Sequence, residues 1–258
     1  MKVGILGGRG FIGSSVVKNL SVEHSFFVIK PEIHGNLNDL IDFKPDTIIN
    51  ACSSLPNASE IDSWTANFNY PLNVFNFISN NLNSSFTWIQ IASYYELELP
   101  AGRSDSYSNH KFEFRSLLQT LCVSKGLEFR TLFLPHVVGE GERSGRLINS
   151  VVDSIRNNKD FILQYPEIKL PILIIDDVVL AINQFMKGDQ LTAFATPTWY
   201  KSNLELIEEI TRFLGKGMDS IQVGATKSTE TTNLVFPPKI EGWEPKIALQ
   251  DYILSFRV

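Results

Sequence analysis

The chain predicts an α/β fold, a doubly wound parallel sheet with a small C-terminal lobe, and three features predict it. A short apolar strand at the start runs through a glycine-rich turn into a helix. Strands and helical stretches then alternate as far as Leu134. Beyond about Gly139 the rhythm loosens into more loop, two proline-bearing patches and shorter elements, as expected of a smaller lobe packed on the first.

Lys2-Val3-Gly4-Ile5-Leu6 is the first strand, Gly7, Gly8, Gly10 and Gly13 follow it, and Phe11 to Val17 carries apolar residues at helical spacing. Ser25 to Ile29 reads as the second strand, and Pro31 and Gly35 break the polar stretch after it. Leu37 to Phe43 is a short helix and Asp46 to Asn50 the third strand. Ser59 to Leu82 holds a long helical pattern interrupted near Pro71. Phe86 to Ala92 is a strand, Ser106 to Ser124 a helix and Phe129 to Leu134 a strand. Such alternation builds a parallel sheet covered on both faces through right-handed crossovers. The expected division is 1–138 for the nucleotide-binding domain, with contributions from about 172–200, and 139–258 mainly for the smaller substrate-binding lobe.

With 258 residues, 43% of them hydrophobic, the chain can bury a full core. A net charge of -5 supplies no basic footprint for nucleic acid. Cys52 and Cys122 make neither a disulfide framework nor a zinc-ligand spacing, and no metal is expected. No apolar run approaches a membrane span, and Met1-Lys2 leads straight into a strand. A soluble cytoplasmic protein is expected, with neither nucleic acid nor membrane as partner.

The opening turn, GxxGxxG from Gly7 through Gly10 to Gly13, has the parts of a dinucleotide-binding unit. Gly7 permits the tight turn, Gly10 the approach of a pyrophosphate to the backbone, and Gly13 close packing of the helix on the strand. The helix start offers free N–H groups and a positive dipole end to phosphates. The second strand ends at Ile29-Lys30 with no carboxylate to take a ribose hydroxyl, and Arg9 lies inside the turn. These cations favour NADP(H) over NAD(H), with Lys30 and Arg9 as partners of a 2′-phosphate.

Tyr107-Ser108-Asn109-His110-Lys111 places a phenol and an ammonium four residues apart on one helix face. The ammonium favours the phenolate and brings a pKa of about 10 nearer to working pH. Upstream, Trp88 to Ser93 is a strand that ends in a hydroxyl, at the sheet edge where doubly wound folds bind ligands.

Together these residues resemble the extended short-chain dehydrogenase/reductase family, the Rossmann-like group of sugar-nucleotide epimerases, dehydratases and reductases. The resemblance runs through almost the whole chain. Asn50-Ala51-Cys52 is similar to the family's segment after its fourth strand, and Asn67 with Asn73 to its helix-borne asparagines. Leu134-Pro135-His136-Val137-Val138-Gly139 resembles its RPxxVYG segment, Ile174 to Val178 its strand-to-helix Asp-Asp stretch, and Gly242 to Lys246 its GWxPK signature. Leu134, Ala92 and Val138 depart from the usual arginine, serine and tyrosine; they bear on substrate contacts and leave the triad intact.

The resemblance implies Ser93, Tyr107 and Lys111 as a catalytic triad. It implies a cofactor site from Gly7, Arg9, Gly10, Phe11, Ile12 and Gly13 in the turn and Lys30 after the second strand. Asn50, Ala51, Cys52, Asn67, Ile91, Tyr107, Lys111, Pro135 and Val137 complete it. A nucleotide-sugar substrate would meet Ser93, Tyr94, His136, Arg143 and Arg146. His136 would meet the substrate's phosphates, as neutral imidazole or as imidazolium, or the nicotinamide amide, with packing under the loop as a half-buried residue the alternative; the two arginines would make bidentate contacts with the same pyrophosphate. A helix-to-helix homodimer is usual in such enzymes.

Dehydratases of the family follow the catalytic hydroxyl residue with Asp-Glu, whereas Tyr94-Tyr95 follow Ser93 here. Lys30 to Asp46 has room for little of the usual third strand and helix, a compact layout that looks like the nucleotide-sugar 4-keto reductases. The expected activity is NAD(P)H-dependent reduction of the 4-keto group of a nucleoside-diphosphate 4-keto-6-deoxysugar. The alternatives are a nucleotide-sugar epimerase using tightly bound NAD, and a non-catalytic NADP-binding sensor of the same fold. His24, His34 and His110 are expected to be solvated, as are Glu140 and Glu142. Asp176-Asp177 is expected to start a structural helix as a cap.

Overall fold

The computed structural model describes residues 1–31, 36–142, 146–215, 217–218, 221–224 and 234–255; the expectations for His34 and Arg143 fall outside them. The first half runs β1 (Lys2–Leu6), α1 (Phe11–Leu20), β2 (Ser25–Ile29), α2 (Leu37–Phe43), β3 (Thr47–Asn50), α3 (Glu60–Trp64), α4 (Tyr70–Asn81), β4 (Thr87–Ser93), α5 (Ser106–Ser124) and β5 (Glu128–Leu134). The second runs β6 (His136–Val138), α6 (Leu147–Arg156), β7 (Phe161–Leu163), β8 (Lys169–Ile174), α7 (Ile175–Lys187), β9 (Thr192–Phe194), β10 (Trp199–Ser202), α8 (Asn203–Phe213), β11 (Ile221–Val223) and α9 (Leu249–Ser255).

Two compact units result. The first comprises Met1–Leu134, Val178–Ala195 and Leu234–Trp243, the second Pro135–Asp177, Thr196–Asn233 and Glu244–Val258. The change of unit thus falls after β5 rather than at 138, and a late segment, Leu234–Trp243, returns to the first unit.

The first unit is a six-stranded parallel sheet in the order β2-β1-β3-β4-β5-β9. From β1 the chain moves outward to β2, then returns to the far side of β1 with β3. That reversal opens a crevice at the C-terminal ends of β1 and β3, where Leu6 pairs with Asn50. Strands buried on both faces read as continuous apolar runs, and Ile48, Ile49, Trp88 and Ile89 are all buried. Trp88 is the centre of one core cluster, edge-on to Phe75 with ring centroids 5.6 Å apart and 6.5 Å from Phe114.

The long helical pattern after Ser59 breaks before Pro71. Thr65–Asn69 form a π-helical turn between α3 and α4, and Pro71, which has no N–H to bond back into that turn, follows directly in the first turn of α4. Arg130, an arginine in the middle of β5, is buried and bonds the carbonyl oxygens of Phe185, Met186 and Gln190 at the end of α7 and just beyond. A cation at a helix C-terminus answers both the orphan carbonyls and the dipole. His24, expected in solvent, is buried; its Nε2 lies 2.9 Å from Asn183 Oδ1.

The second unit holds a three-stranded sheet, β10-β8-β6, and a parallel pair, β11 with β7. On α6, Ile148, Val151, Val152 and Ile155 share one buried stripe, the i, i+3, i+4, i+7 pattern of a helix with one apolar face. Asp177, expected as a cap, instead lies inside the first turn of α7, fully buried. Its carboxylate accepts the backbone N–H groups of Lys246 and Ile247 at 2.9–3.1 Å and so fastens the Gly242–Lys246 segment's end. No helix among the described residues is long and apolar enough to cross a membrane.

Asp177→Ala removes the acceptor from two amides and should cost roughly 1–3 kcal/mol for each donor left unsatisfied. A urea unfolding curve checks this, and a midpoint equal to that of the parent protein would show the two amides to be satisfied otherwise.

Candidate active site

The glycine turn joins β1 to α1. Gly7 has φ +73°, a left-handed conformation that costs a side chain dearly, and Gly10 N–H donates to Gly7 O at 2.8 Å to close the turn. A Cβ on Gly13 would lie 2.2 Å from Gly7 O, so only glycine lets α1 approach this closely. Gly10 is the N-cap of α1 and no side chain caps it. The first amides of that helix therefore remain for an anion. These features suit a nicotinamide dinucleotide's pyrophosphate. Arg9 and Lys30 are both exposed, and the Lys30 carbonyl accepts the Tyr70 hydroxyl at 2.9 Å.

The three candidate catalytic side chains come from the end of β4 and from α5, which packs on it. Lys111, on α5, is only 4% exposed, and its ammonium donates to the Ile91 carbonyl at 3.1 Å. The same nitrogen lies 5.8 Å from the centroid of the Tyr107 ring, one helical turn back. Ser93 ends β4 two residues beyond Ile91. Its Oγ accepts Tyr95 N–H at 3.2 Å, which leaves the single hydroxyl proton to donate elsewhere.

Two partners of this arrangement escape a sequence reading. Glu96, whose side chain is 1% exposed, accepts Ser93 N–H at 3.0 Å and pairs with Arg115 at 2.8 Å. It closes a capping box with Ser93, the S-x-x-E spacing that marks a helix start and could have pointed to it. Tyr95 meets Tyr107 edge to face at 6.2 Å between centroids, with the Arg103 guanidinium 3.7 Å above the Tyr95 ring. Arg103 in turn bonds Glu98, Ser108 and Asp105, the N-cap residue of α5. Tyr94 is buried behind Tyr95, 4.2 Å between rings, and burial pushes its phenol well above the usual range.

Beside the glycine turn, Asn50 Nδ2 donates to Gln90 Oε1 at 2.9 Å and its Oδ1 accepts Cys52 N–H at 3.1 Å. Burial pushes the Cys52 thiol up, partly opposed by the charge of Lys111. Asn67, Phe11 and Ile12 lie in this same unit. His110, expected in solvent, is half-buried with Nδ1 3.1 Å from Ser63 Oγ.

Pro135, His136 and Val137 open the second unit. Both ring nitrogens of His136 lie 3.2 Å from Arg146 Nη2. Burial and the Arg146 charge hold its pKa down at about 3, which favours the neutral imidazole. Arg146 also pairs with Glu142 at 3.0 Å, and this carboxylate, expected in solvent, is 4% exposed and raised in pKa by burial. Glu140 is exposed as expected. Among the described residues no group of His, Cys, Asp and Glu could hold a metal.

Replacing Glu96 by leucine strands the Arg115 charge and the Ser93 amide together. A loss of about 3–5 kcal/mol in guanidinium unfolding is expected, as for one partner removed from a buried pair. Glu96→Gln keeps an acceptor for Ser93 N–H and should lose less; an equal loss would mean the amide contact contributes nothing.

The model described as the NAD dependent epimerase/dehydratase family matches residues 3–191, well over half of the chain. CDP-abequose synthase of Yersinia pseudotuberculosis is 22% identical over 251 residues, 85% of this chain and 86% of that protein. Among solved structures, dTDP-glucose 4,6-dehydratase from Bacillus anthracis, in complex with NAD, gives a TM-score of 0.78 at 16% identity, covering 99% of this chain and 95% of that one. RMD from Pseudomonas aeruginosa, complexed with NADPH, gives 0.77 at 17% identity over 100% and 99%. The solved structures share the fold, and the match over the glycine turn, β4 and α5 assigns the chain: it belongs to the NAD dependent epimerase/dehydratase family.

Proposed function

We propose that this protein reduces the 4-keto group of a nucleoside-diphosphate 4-keto-6-deoxysugar with NADPH. The observation that carries the reading is the buried Lys111 ammonium, bonded to the Ile91 carbonyl and 5.8 Å from the Tyr107 ring, with Ser93 at the end of the same strand. The dinucleotide supplies a hydride to the carbonyl carbon when bound on the glycine turn. Tyr107 gives its proton to the oxygen that becomes an alkoxide. Ser93, with its one proton uncommitted, donates to the same oxygen, a contact that strengthens only as charge develops. Lys111 places a positive charge 5.8 Å from the Tyr107 ring.

Two observations favour reduction over dehydration. Tyr94 and Tyr95 stand where a dehydratase has acids, and the one carboxylate close by, Glu96, is committed to Arg115 and Ser93 N–H. Both of its oxygens already hold a protein partner. The name of the Yersinia relative is that of a CDP-linked sugar synthase, and RMD was solved with NADPH; both support a nucleotide sugar as substrate and a nicotinamide cofactor. The exposed Lys30 and Arg9 favour the phosphorylated dinucleotide.

Purified protein should oxidise NADPH, followed by absorbance, only when a nucleoside-diphosphate 4-keto-6-deoxysugar is present. Tyr107→Phe should retain cofactor binding and lose roughly 10²–10⁴ in kcat, the contribution of a positioned general acid. Near-parental turnover in that variant, or a copurified and unexchangeable NAD in the parent, would overturn the reductase reading.

Cofactor choice is tested separately. kcat/KM should be higher with NADPH than with NADH, and Lys30→Asp should reverse the order by exchanging a phosphate partner for a ribose hydroxyl acceptor. An NADH preference in the unmutated protein refutes the assignment of Lys30.

A further inference from the structure

Single π-helical turns persist where something in the structure holds them. The turn at Thr65–Asn69 carries Asn67, which is 2% exposed and has every polar group engaged. Its Oδ1 accepts Ser54 N–H and the Ser53 hydroxyl, each at 3.2 Å. Its Nδ2 donates to Ser54 Oγ at 2.9 Å and to Ser63 Oγ at 3.1 Å. A backbone N–H can only donate, so the contact with Ser54 fixes which end of the amide is oxygen. Saturated in this way, Asn67 holds the protein rather than a ligand.

What it holds is the stretch from Asn50 to Ser54, which leaves β3 against the glycine turn. Ala51 N–H donates to Leu6 O at 3.0 Å, and a Cβ on Gly7 would lie 2.7 Å from the backbone of Ala51 and Cys52. This stretch is the wall on which the phosphate turn rests, and Cys52 within it feels the Lys111 charge.

The clamp is itself anchored from behind. Ser63 is buried, and its Oγ, having accepted from Asn67, has one proton to give. The acceptor in reach is His110 Nδ1 at 3.1 Å, which leaves the proton of the imidazole on Nε2. His110 sits on α5 between Tyr107 and Lys111, one turn after the first and adjacent to the second. A side-chain chain therefore runs His110, Ser63, Asn67, Ser54, from the helix that carries the acid to the loop that walls the cofactor.

We infer that His110 is a positioning residue for the cofactor, setting the Asn50–Ser54 wall against the glycine turn through Ser63 and Asn67. This rests on the reading of that turn as a dinucleotide site and is independent of the sugar substrate. Packing of α3 on α5 alone would place α3 without the Ser63 contact, so the hydrogen-bond chain makes a separate demand: an acceptor at the position of His110 Nδ1.

The test titrates NADPH and NADH, by the fluorescence of the bound reduced ring, into the parent protein and four variants, each with its thermal midpoint recorded. His110→Leu and Ser63→Ala should each weaken both cofactors about fivefold, the worth of one hydrogen bond. His110→Asn, whose amide oxygen can stand in for Nδ1, should restore binding to near the parental value. The double variant His110→Leu/Ser63→Ala should be no weaker than either single one, because both cut the same chain. Parental binding by His110→Leu, equal losses in the Asn and Leu variants, or additive losses in the double variant overturns the proposal. Parental protein that binds NADPH and reduces no 4-keto sugar removes the reductase reading alone, and the comparison among variants still decides His110.

Discussion

The ammonium of Lys111 lies between α5 and β4, out of contact with bulk water, and a cation there has to be answered by the protein. The Ile91 carbonyl answers it. That oxygen belongs to a parallel strand paired with β5, so it cannot follow the helix if α5 shifts. Sliding α5 along the sheet would leave a charge without its acceptor, a penalty far above that of an exposed ion pair. This contact limits how far Tyr107 on the helix can shift relative to Ser93 on the strand.

A second buried charge works alongside the first. Glu96 and Arg115 are a close pair at the start of the Tyr94–Ala101 segment, and the same carboxylate holds the Ser93 amide. The strand end and the helix are thus joined twice, by a cation bonded to a carbonyl and by an ion pair whose carboxylate also accepts an amide. Neither contact needs to stabilise the fold by much. What they supply is specificity of geometry, since each leaves a costly orphan if the site rearranges.

Local chemistry was legible in the sequence and long-range chemistry was not. Gly7, Gly10 and Gly13 declare a tight turn because only glycine tolerates its backbone angles and approach distances, and Tyr107 and Lys111 share a face because of the helical repeat. The strands of the sheet follow from apolar runs between breakers. By contrast, His110 reads as a surface histidine until Ser63, 47 positions away, is brought to its ring. Glu142 reads as a loop carboxylate until Arg146 and its surroundings bury it. Pro71 marks an interruption in the apolar pattern of Ser59 to Leu82, but nothing in that pattern says that it takes the form of a π-helical turn over Thr65–Asn69. The Ser93–Glu96 capping spacing was present in the sequence and was hidden by the strand and aromatics around it.

The short connection from β2 to α2 also decides which strand is outermost. Among the described residues β2 has β1 on one side and no strand on the other, and its sequence, Ser-Phe-Phe-Val-Ile, is uncharged and rich in β-formers. An open edge of that kind is a template for a foreign strand. Asn36 blunts it: its Nδ2 donates to the Val28 carbonyl at 3.0 Å and its Oδ1 accepts Lys30 N–H at 3.3 Å, occupying edge groups that another chain would use. Pro31 follows, with no N–H to extend a ladder. Colloidal behaviour in a crowded solution, rather than turnover, is therefore the property that constrains what can stand at position 36.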